Sequence, residues 1–223
     1  MNMNNFTCAD CRTKACRSHD MDRTPAVCPT KDCPEEGNLQ FYTEEELKIA
    51  HEAALTESAG YCRQTRLEET MSFAFRMGYR KLGVAFCNGL KDEAKILADI
   101  LRENGFEVCA KVCKCGSLSK SYIGISDSEQ VRPGEFEPMC NPAGQAEHLN
   151  QEKTELNILL GLCVGHDSLF IKHSDAPVTV LVSKDRALGH NPAAALYQSN
   201  AYLKRVHTFI RDEFGENGNT DIL

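Results

Sequence analysis

The stretch Lys81-Leu82-Gly83-Val84-Ala85-Phe86-Cys87 is apolar through its middle and ends on a cysteine. A short apolar run of this kind is typical of a strand that is buried on both faces. Residues 89–104 follow with the spacing of an amphipathic helix, and Gly105 is placed to end that helix. A buried strand that leads directly into an amphipathic helix is the repeating unit of a parallel sheet, so this stretch decides the fold class.

The same alternation continues along the chain. Thr43-Glu44-Glu45-Glu46 forms a capping box that predicts a helix through about residue 56. The periodicity predicts further helices over 64–77, 141–153 and 192–214, and further strands over 106–112, 155–164 and 178–183, with an irregular stretch over 116–138. We therefore predict an α/β fold with an open, mostly parallel, Rossmann-like sheet of about four or five strands flanked by helices.

Composition excludes several classes of protein. The 223 residues carry 32 acidic and 25 basic side chains, a net charge of −7, which argues against a nucleic-acid partner. No apolar run reaches the roughly 18 residues of a membrane span, so we expect no membrane association. Residues 1–7 have neither a basic nor an apolar region and do not resemble a signal peptide. We expect a cytoplasmic protein.

The chain contains 12 cysteines, which in a reducing compartment are thiolate ligands or redox groups rather than disulfides. Residues 1–40 have little apolar periodicity, and we predict a cysteine-rich metal-binding loop module there, followed by an α/β domain over 41–223. His19 is better explained as a solvated loop residue than as a ligand. Cys62 fits a ligand and a small buried residue equally well. The candidate metal ligands are Cys8, Cys11, Cys16, Cys28, Cys33 and Cys62.

A second set of cysteines follows the predicted strands. In an open parallel sheet the carboxyl ends of the strands form the crevice where ligands bind. Cys87, Cys113, Cys115 and Cys163 come at or just after strand ends, and Cys140 precedes a predicted helix, so we expect these five to bind a cofactor. Cys109 lies within a strand and is expected in the core. The polar residues that share this edge are candidate proton donors and orienting groups, and they are His166, Asp167 and His190, with the stretch Lys184-Asp185-Arg186 beside them.

Four segments of the chain resemble a known group of proteins. They are Met77-Gly78-Tyr79-Arg80-Lys81-Leu82-Gly83-Val84-Ala85-Phe86-Cys87, Met139-Cys140-Asn141-Pro142-Ala143-Gly144-Gln145-Ala146, Gly161-Leu162-Cys163-Val164-Gly165-His166-Asp167 and Leu188-Gly189-His190-Asn191-Pro192. Over residues 8–202 the chain resembles an uncharacterised cysteine-rich, metal-binding family of mainly anaerobic bacteria and archaea, a domain of unknown function. The resemblance implies cysteine-bound metal and an anaerobic setting, and it implies no particular reaction.

Three functional hypotheses remain open at this point. The first is an iron–sulfur protein, a redox or sulfur-handling enzyme with one or two [4Fe–4S] clusters, in which an N-terminal cluster feeds one at the sheet edge. Its partners would be a small-molecule substrate or an electron-transfer protein. The second is a zinc-stabilised module that binds a ligand or partner without redox chemistry, because zinc and iron clusters accept overlapping thiolate sets. The third is a thiol–disulfide or metal-trafficking protein.

Overall fold

The computed structural model describes residues 7–32 and 39–215 of the chain. The chain forms two compact units, Met1–Ser58 and Ala59–Leu223. The second unit contains an α/β sheet with flanking helices, which confirms the predicted fold class. The predicted metal-binding module over residues 1–40 is defined by its ligands, and that division of the chain stays a prediction.

The first unit has one long helix. Its cysteine-rich part contains the short helix α1 (Ala15–Ser18) and several 3-10 turns, and α2 then runs over Glu44–Gly60. The predicted capping box is present at the start of α2, because the Glu46 amide donates to Thr43 Oγ1 at 3.3 Å and the Thr43 amide donates to Glu46 Oε2 at 2.7 Å. This helix ends later than the sequence predicts.

The sheet of the second unit has four parallel strands in the order β2-β1-β3-β4. They are β1 (Lys81–Phe86), β2 (Glu107–Val112), β3 (Leu156–Leu160) and β4 (Val178–Val182). The chain passes from β1 outward to β2 and then crosses back to β3 on the other side of β1. The adjacent ends of β1 and β3 therefore form the point where the strand order reverses, which is where open α/β sheets bind ligands.

Helices cover the sheet and place their first turns at its carboxyl edge. The second unit has α3 (Arg66–Met77), α4 (Lys91–Glu103), α5 (Pro142–Gln151) and α6 (His166–His173). The helix α4 packs on β1 and β2, and α5 packs against α6. A core cluster of Ala85, Leu149, Leu159 and Phe170 also includes the buried Cys87 and Cys113. The sequence did not predict α6, which begins three residues after Cys163.

The prediction of one continuous helix over 192–214 is wrong. The structure has α7 (Ala193–Tyr197), a 3-10 turn over Lys204–His207 and α8 (Phe209–Phe214) instead. The Ser199 hydroxyl donates to the Leu196 carbonyl at 2.8 Å, a local bond that competes with helix continuation. None of the three pieces has a buried residue, so packing does not stabilise a longer helix there.

The helices can also be compared with the dimensions of a bilayer. Within residues 7–32 and 39–215, no helix is both long enough and apolar enough to cross a membrane.

Candidate functional site

Backbone pairing beyond the strand ends brings three cysteines together. The Cys87 amide donates to the Leu160 carbonyl at 3.1 Å, which continues the β1–β3 ladder by one residue. The Cys113 amide donates to the Phe86 carbonyl at 2.9 Å, and the Cys113 carbonyl accepts from the Asn141 amide at 2.8 Å. Cys140 is thereby held next to Cys113. We call Cys87, Cys113 and Cys140 the rim cysteines.

A buried glutamine stabilises the backbone below the rim cysteines. Gln145, in the first turns of α5, is fully buried, and its Nε2 donates to the Phe86 carbonyl at 3.3 Å and to the Lys111 carbonyl at 2.8 Å. These carbonyls lie one residue before Cys87 and two residues before Cys113. The amide therefore ties α5 to both strands at the point where the cysteines begin.

The three thiols share protons. Hydrogen bonding from the Cys113 thiol lowers the pKa of Cys87 to about 5 and lowers that of Cys140 to about 5. The same two contacts, together with burial, raise the pKa of Cys113. Cys113 has one proton and can donate it to only one neighbour at a time. The Cys113 thiol therefore favours a thiolate at one neighbouring cysteine at a time, and thiolate sulfur is a soft donor.

Positive groups surround the rim cysteines. The hydrogen bond from Cys113 is the largest cause of the lowered pKa of Cys87 and of Cys140. Lys184 and Arg186 also lower the pKa of Cys87 electrostatically, and Lys114 and His166 also lower that of Cys140. The Cys113 sulfur accepts a hydrogen bond from the Asn88 amide at 3.3 Å. Cations and backbone N–H groups near sulfur stabilise the thiolate form that binds metals.

Cys163 belongs to the same edge but has a different neighbour. It follows β3 and is half-buried, and its sulfur accepts a hydrogen bond from Arg186 Nη2 at 3.3 Å. The hydrogen bond to Cys163 raises the pKa of Arg186, and the guanidinium group also interacts electrostatically with Cys87 and Cys140, which raise it further. Arg186 thus connects Cys163 to two of the rim cysteines.

The other two cysteines of β2 and its following loop lie elsewhere. The Cys115 thiol is directed at the Asn141 carbonyl, 4.0 Å away, and burial raises the pKa of Cys115. Cys109 is half-buried against the core cluster, as expected of a residue within a strand, and burial raises its pKa. The structure therefore distinguishes Cys115 from the rim cysteines, a distinction that strand-end position alone could not make.

The predicted proton donors have mainly local partners. His166 is the first residue of α6 and acts electrostatically on Cys140. Asp167 accepts from the Ser168 amide at 2.8 Å. His190 has a left-handed backbone (φ 65°), and its Nδ1 accepts from the Asp185 amide at 3.1 Å. His166 therefore interacts with one of the rim cysteines, Cys140. A catalytic role for His166, Asp167 or His190 stays a prediction.

The predicted ligands of the N-terminal segment are accessible. Cys8 and Cys16 are exposed, and Cys11 and Cys28 are half-buried. A contact with the Thr13 hydroxyl, 3.5 Å from the Cys11 sulfur, and the Lys14 backbone lower the pKa of Cys11. Cys62 lies in the second unit, exposed, in a turn with φ 54°. Cys33 lies outside the described residues.

Among the His, Cys, Asp and Glu side chains of residues 7–32 and 39–215, no group of three or more is placed so that it could hold a metal ion. The rim cysteines are packed thiol against thiol instead.

Several residues at the site carry no obvious sequence signal. Gln145 and Asn88 contribute through backbone contacts that connect separate segments, and nothing in their local sequence indicates this. Lys114 lies between Cys113 and Cys115, and that position was the available clue. Lys184 and Arg186 were recognised as polar residues after a strand, but their proximity to the cysteines depends on the order of the strands.

Comparison with known proteins gives a consistent family assignment. The family model "Protein of unknown function (DUF1847)" matches residues 28–181. An "Uncharacterized protein MJ0455" from Methanocaldococcus jannaschii is 44% identical over 199 residues, which cover 89% of this chain and 97% of that protein. No solved structure matches the chain. The predicted membership of an uncharacterised family is confirmed, and the chain belongs to the family of proteins of unknown function DUF1847.

Proposed function

We propose that Cys87, Cys113, Cys140 and Cys163 hold an iron–sulfur cluster, and that the protein is a redox or sulfur-handling enzyme of anaerobic metabolism. The observation that carries the proposal is the convergence of three cysteines, from the ends of β1 and β2 and the start of α5, on one point. Iron–sulfur clusters are held by four thiolates in most proteins. Cys163, which shares Arg186 with this group, supplies the fourth.

The electrostatics of the edge support a thiolate-bound centre. The hydrogen bond from Cys113 lowers the pKa of either Cys87 or Cys140, and a thiolate is the form of cysteine that binds metal. The Asn88 amide and the Arg186 guanidinium donate to cysteine sulfurs, and such hydrogen bonds tune the reduction potential of a cluster. The exposed cysteines of the N-terminal segment would hold a second cluster that supplies electrons.

A zinc-stabilised binding module is the second candidate, and one observation favours it. Thiol hydrogen bonding places Cys113 in direct contact with two neighbouring sulfurs. A tetrahedral ion with bonds of about 2.3 Å brings its sulfur ligands to about 3.8 Å from one another. A cluster separates them further, because each sulfur binds a different iron atom.

The discriminating experiment is metal and acid-labile sulfide analysis of protein purified without oxygen, together with an absorption spectrum. Iron with matching sulfide and a broad visible band is the expected result. A colourless protein with stoichiometric zinc would establish the second candidate instead. Cys163→Ser should lower the metal content and leave the circular dichroism spectrum unchanged. Full metal content in that variant would remove Cys163 from the ligand set.

A further inference from the structure

Cys87 and Cys113 occupy paired positions at the ends of two neighbouring strands. The register of β1 and β2 is regular, and its last pair is Phe86 with Val112. The Cys113 amide then donates to the Phe86 carbonyl at 2.9 Å, which extends the pairing to Cys87 and Cys113. Neighbouring strands lie about 4.8 Å apart, and the Cα atoms of a disulfide lie about 4.4–6.8 Å apart. The backbone therefore holds the two cysteines at a separation that a disulfide can span.

The two side chains also project from the same face of the sheet. Side chains alternate along a strand, so Cys87 shares its face with Ala85, a member of the core cluster. Cys113 shares its face with Cys109, which packs against the same cluster. The Asn88 amide, one residue after Cys87, donates to the Cys113 sulfur at 3.3 Å. The Cys113 sulfur is thus directed toward the end of β1, where Cys87 lies.

The two cysteines nearest to Cys113 in the loops are placed differently. Cys115 comes two residues later, and its sulfur lies 4.0 Å from the Asn141 carbonyl. Cys140 is held beside Cys113 by the bond from the Asn141 amide to the Cys113 carbonyl. Cys140 is half-buried, whereas Cys87 and Cys113 are buried. A reagent in solution therefore reaches Cys140 more readily than the other two rim cysteines.

We propose that the metal-free protein forms a reversible disulfide between Cys87 and Cys113, and that the oxidant is a low-molecular-weight disulfide. The Cys140 thiolate attacks the small disulfide, forms a mixed disulfide with one half of it and releases the other half as a thiol. Cys113 then attacks the Cys140 sulfur and releases the second half as a thiol. Cys87 attacks the Cys113 sulfur and releases Cys140. The net reaction converts two protein thiols and one small disulfide into one protein disulfide and two small thiols.

The disulfide makes two of the proposed metal ligands unavailable. Metals bind the thiolate form of cysteine, and a sulfur in a disulfide has no such charge. Oxidation therefore keeps metal away from this edge of the sheet until a small thiol reverses the reaction. The disulfide itself does not depend on the proposed function, which enters only through this consequence.

Peptide mapping of the full chain identifies the linked cysteines. Protein purified without oxygen is reduced, freed of metal with a chelator and treated with oxidised glutathione, and the remaining thiols are blocked with N-ethylmaleimide. Trypsin cleaves after Lys111 and Lys114, so Cys113 is separated from Cys109 and Cys115. Mass spectrometry then shows which cysteine is linked to Cys113.

The link between Cys87 and Cys113 should be about tenfold more abundant than any other link of Cys113, because the fold gives these two thiols a high effective concentration. Dithiothreitol should remove it. Cys115→Ser is the matched control and should keep the link, since Cys115 is directed elsewhere. A wild type without this link, or one in which Cys113 is linked mainly to Cys115 or Cys140, would overturn the proposal.

The role of Cys140 is tested by the rate of the same reaction. Cys140→Ser should form the link between Cys87 and Cys113 about tenfold more slowly, because the oxidant must then reach a buried thiol. The final amount of the link should equal that of the wild type. An unchanged rate would contradict entry of the oxidant through Cys140.

Oxidised glutathione applied to protein with its metal in place separates this disulfide from the proposed function. A sulfur bound to metal is not free to attack a disulfide, so the link should form about tenfold more slowly than in the metal-free protein. Equal rates would contradict the assignment of Cys87 and Cys113 as metal ligands and leave the disulfide standing. Absence of the link after removal of the metal would contradict the disulfide alone.

Discussion

Cys113 is the residue with the largest number of functional contacts at the candidate site. It pairs with β1 through its amide, receives Asn141 through its carbonyl, and lies between two other cysteine thiols. It is 3% exposed, so its sulfur is hardly accessible to solvent. Under the proposed function, Cys113 is the ligand on which the positions of the other two rim cysteines depend.

We expect Cys113→Ser to abolish metal binding at the sheet edge. A hydroxyl is a poor ligand for soft metals, because it is a hard donor that stays protonated at neutral pH. The loss of unfolding free energy should be only about 1 kcal/mol, because the side-chain volume is nearly conserved. Metal analysis and urea unfolding measure the two effects. Cys109→Ser, a half-buried change on β2 away from the rim cysteines, is the control and should retain metal. Equal metal loss in both variants would indicate a folding defect instead.

A second single residue connects two strands. Glu155 Oε2 accepts from the Arg80 amide at 2.6 Å and from the Lys81 amide at 2.9 Å, so the carboxylate joins the start of β3 to the start of β1. These backbone bonds lower the pKa of Glu155. Because the pKa is lower in the folded state, the stabilisation is present above the unfolded pKa of about 4.3 and is lost as the pH falls through the folded pKa.

Glu155→Gln should therefore lower the free energy of unfolding by about 1 kcal/mol at neutral pH, a value reduced by the solvent exposure of the site. The difference from the wild type should disappear as the pH is lowered below about 4. Urea unfolding across this pH range measures it. Glu103→Gln, at an exposed position on α4, should retain the wild-type pH dependence. A difference that persists at acid pH would show that the charge of Glu155 is not responsible.

At the level of elements, the end of β3 lies tightly against the residue that precedes α4. Gly161 has φ 68°, and a Cβ there would lie 2.1 Å from Leu90 Cδ1. Leu90 is 4% exposed and has little room to move. This contact fixes the start of α4 relative to the end of β3, and therefore the position of Cys87 relative to Cys163.

Gly161→Ala should reduce the free energy of unfolding by about 3 kcal/mol, the sum of left-handed strain and the displacement of Leu90. Gly105 also has a left-handed backbone (φ 87°), but no atom lies within 4 Å of an added Cβ. Gly105→Ala should therefore show the left-handed backbone strain alone, a loss of about 1 kcal/mol in the free energy of unfolding. Urea unfolding of both variants gives the difference. Equal losses at the two positions would mean that Leu90 accommodates the methyl group.

Elements also differ in how well the sequence predicts them. The four strands and α3, α4 and α5 have strong apolar periodicity because they contact the core, and they were predicted to within a few residues. The helix α6 was missed because its eight residues are too short to show periodicity. The helix predicted over 192–214 is broken because Ser199 bonds locally and no core contact opposes it. Periodicity is therefore informative where burial imposes it.

At the level of the whole molecule, the first and second units have different sources of order. The second unit has an apolar core that includes Ala85, Leu149, Leu159 and Phe170. In the described part of the cysteine-rich segment, Ala15 is the buried apolar residue. We propose that bound metal stabilises this segment, which has little buried apolar surface of its own.

Cys11→Ser should therefore reduce the metal content and make the N-terminal 40 residues sensitive to protease, while the α/β unit remains intact. Limited proteolysis followed by mass spectrometry should show early cleavage within residues 7–32 and late cleavage after residue 59. Thr13→Ala, which removes the neighbour of Cys11 without removing a thiol, is the control and should keep the wild-type digestion pattern. An unchanged pattern in Cys11→Ser would contradict metal-dependent order.

The sequence by itself determined the α/β class, the parallel strands and the edge of the sheet at which the cysteines lie. These features follow from periodicity and from the direction of each strand. Only the tertiary structure decided which cysteines meet. Cys87, Cys113 and Cys140 come together, Cys115 turns to a backbone carbonyl, and Arg186 reaches Cys163. The strand order β2-β1-β3-β4 and the side-chain rotamers decide these contacts. Residues far apart in the sequence become neighbours through packing, which no local pattern encodes.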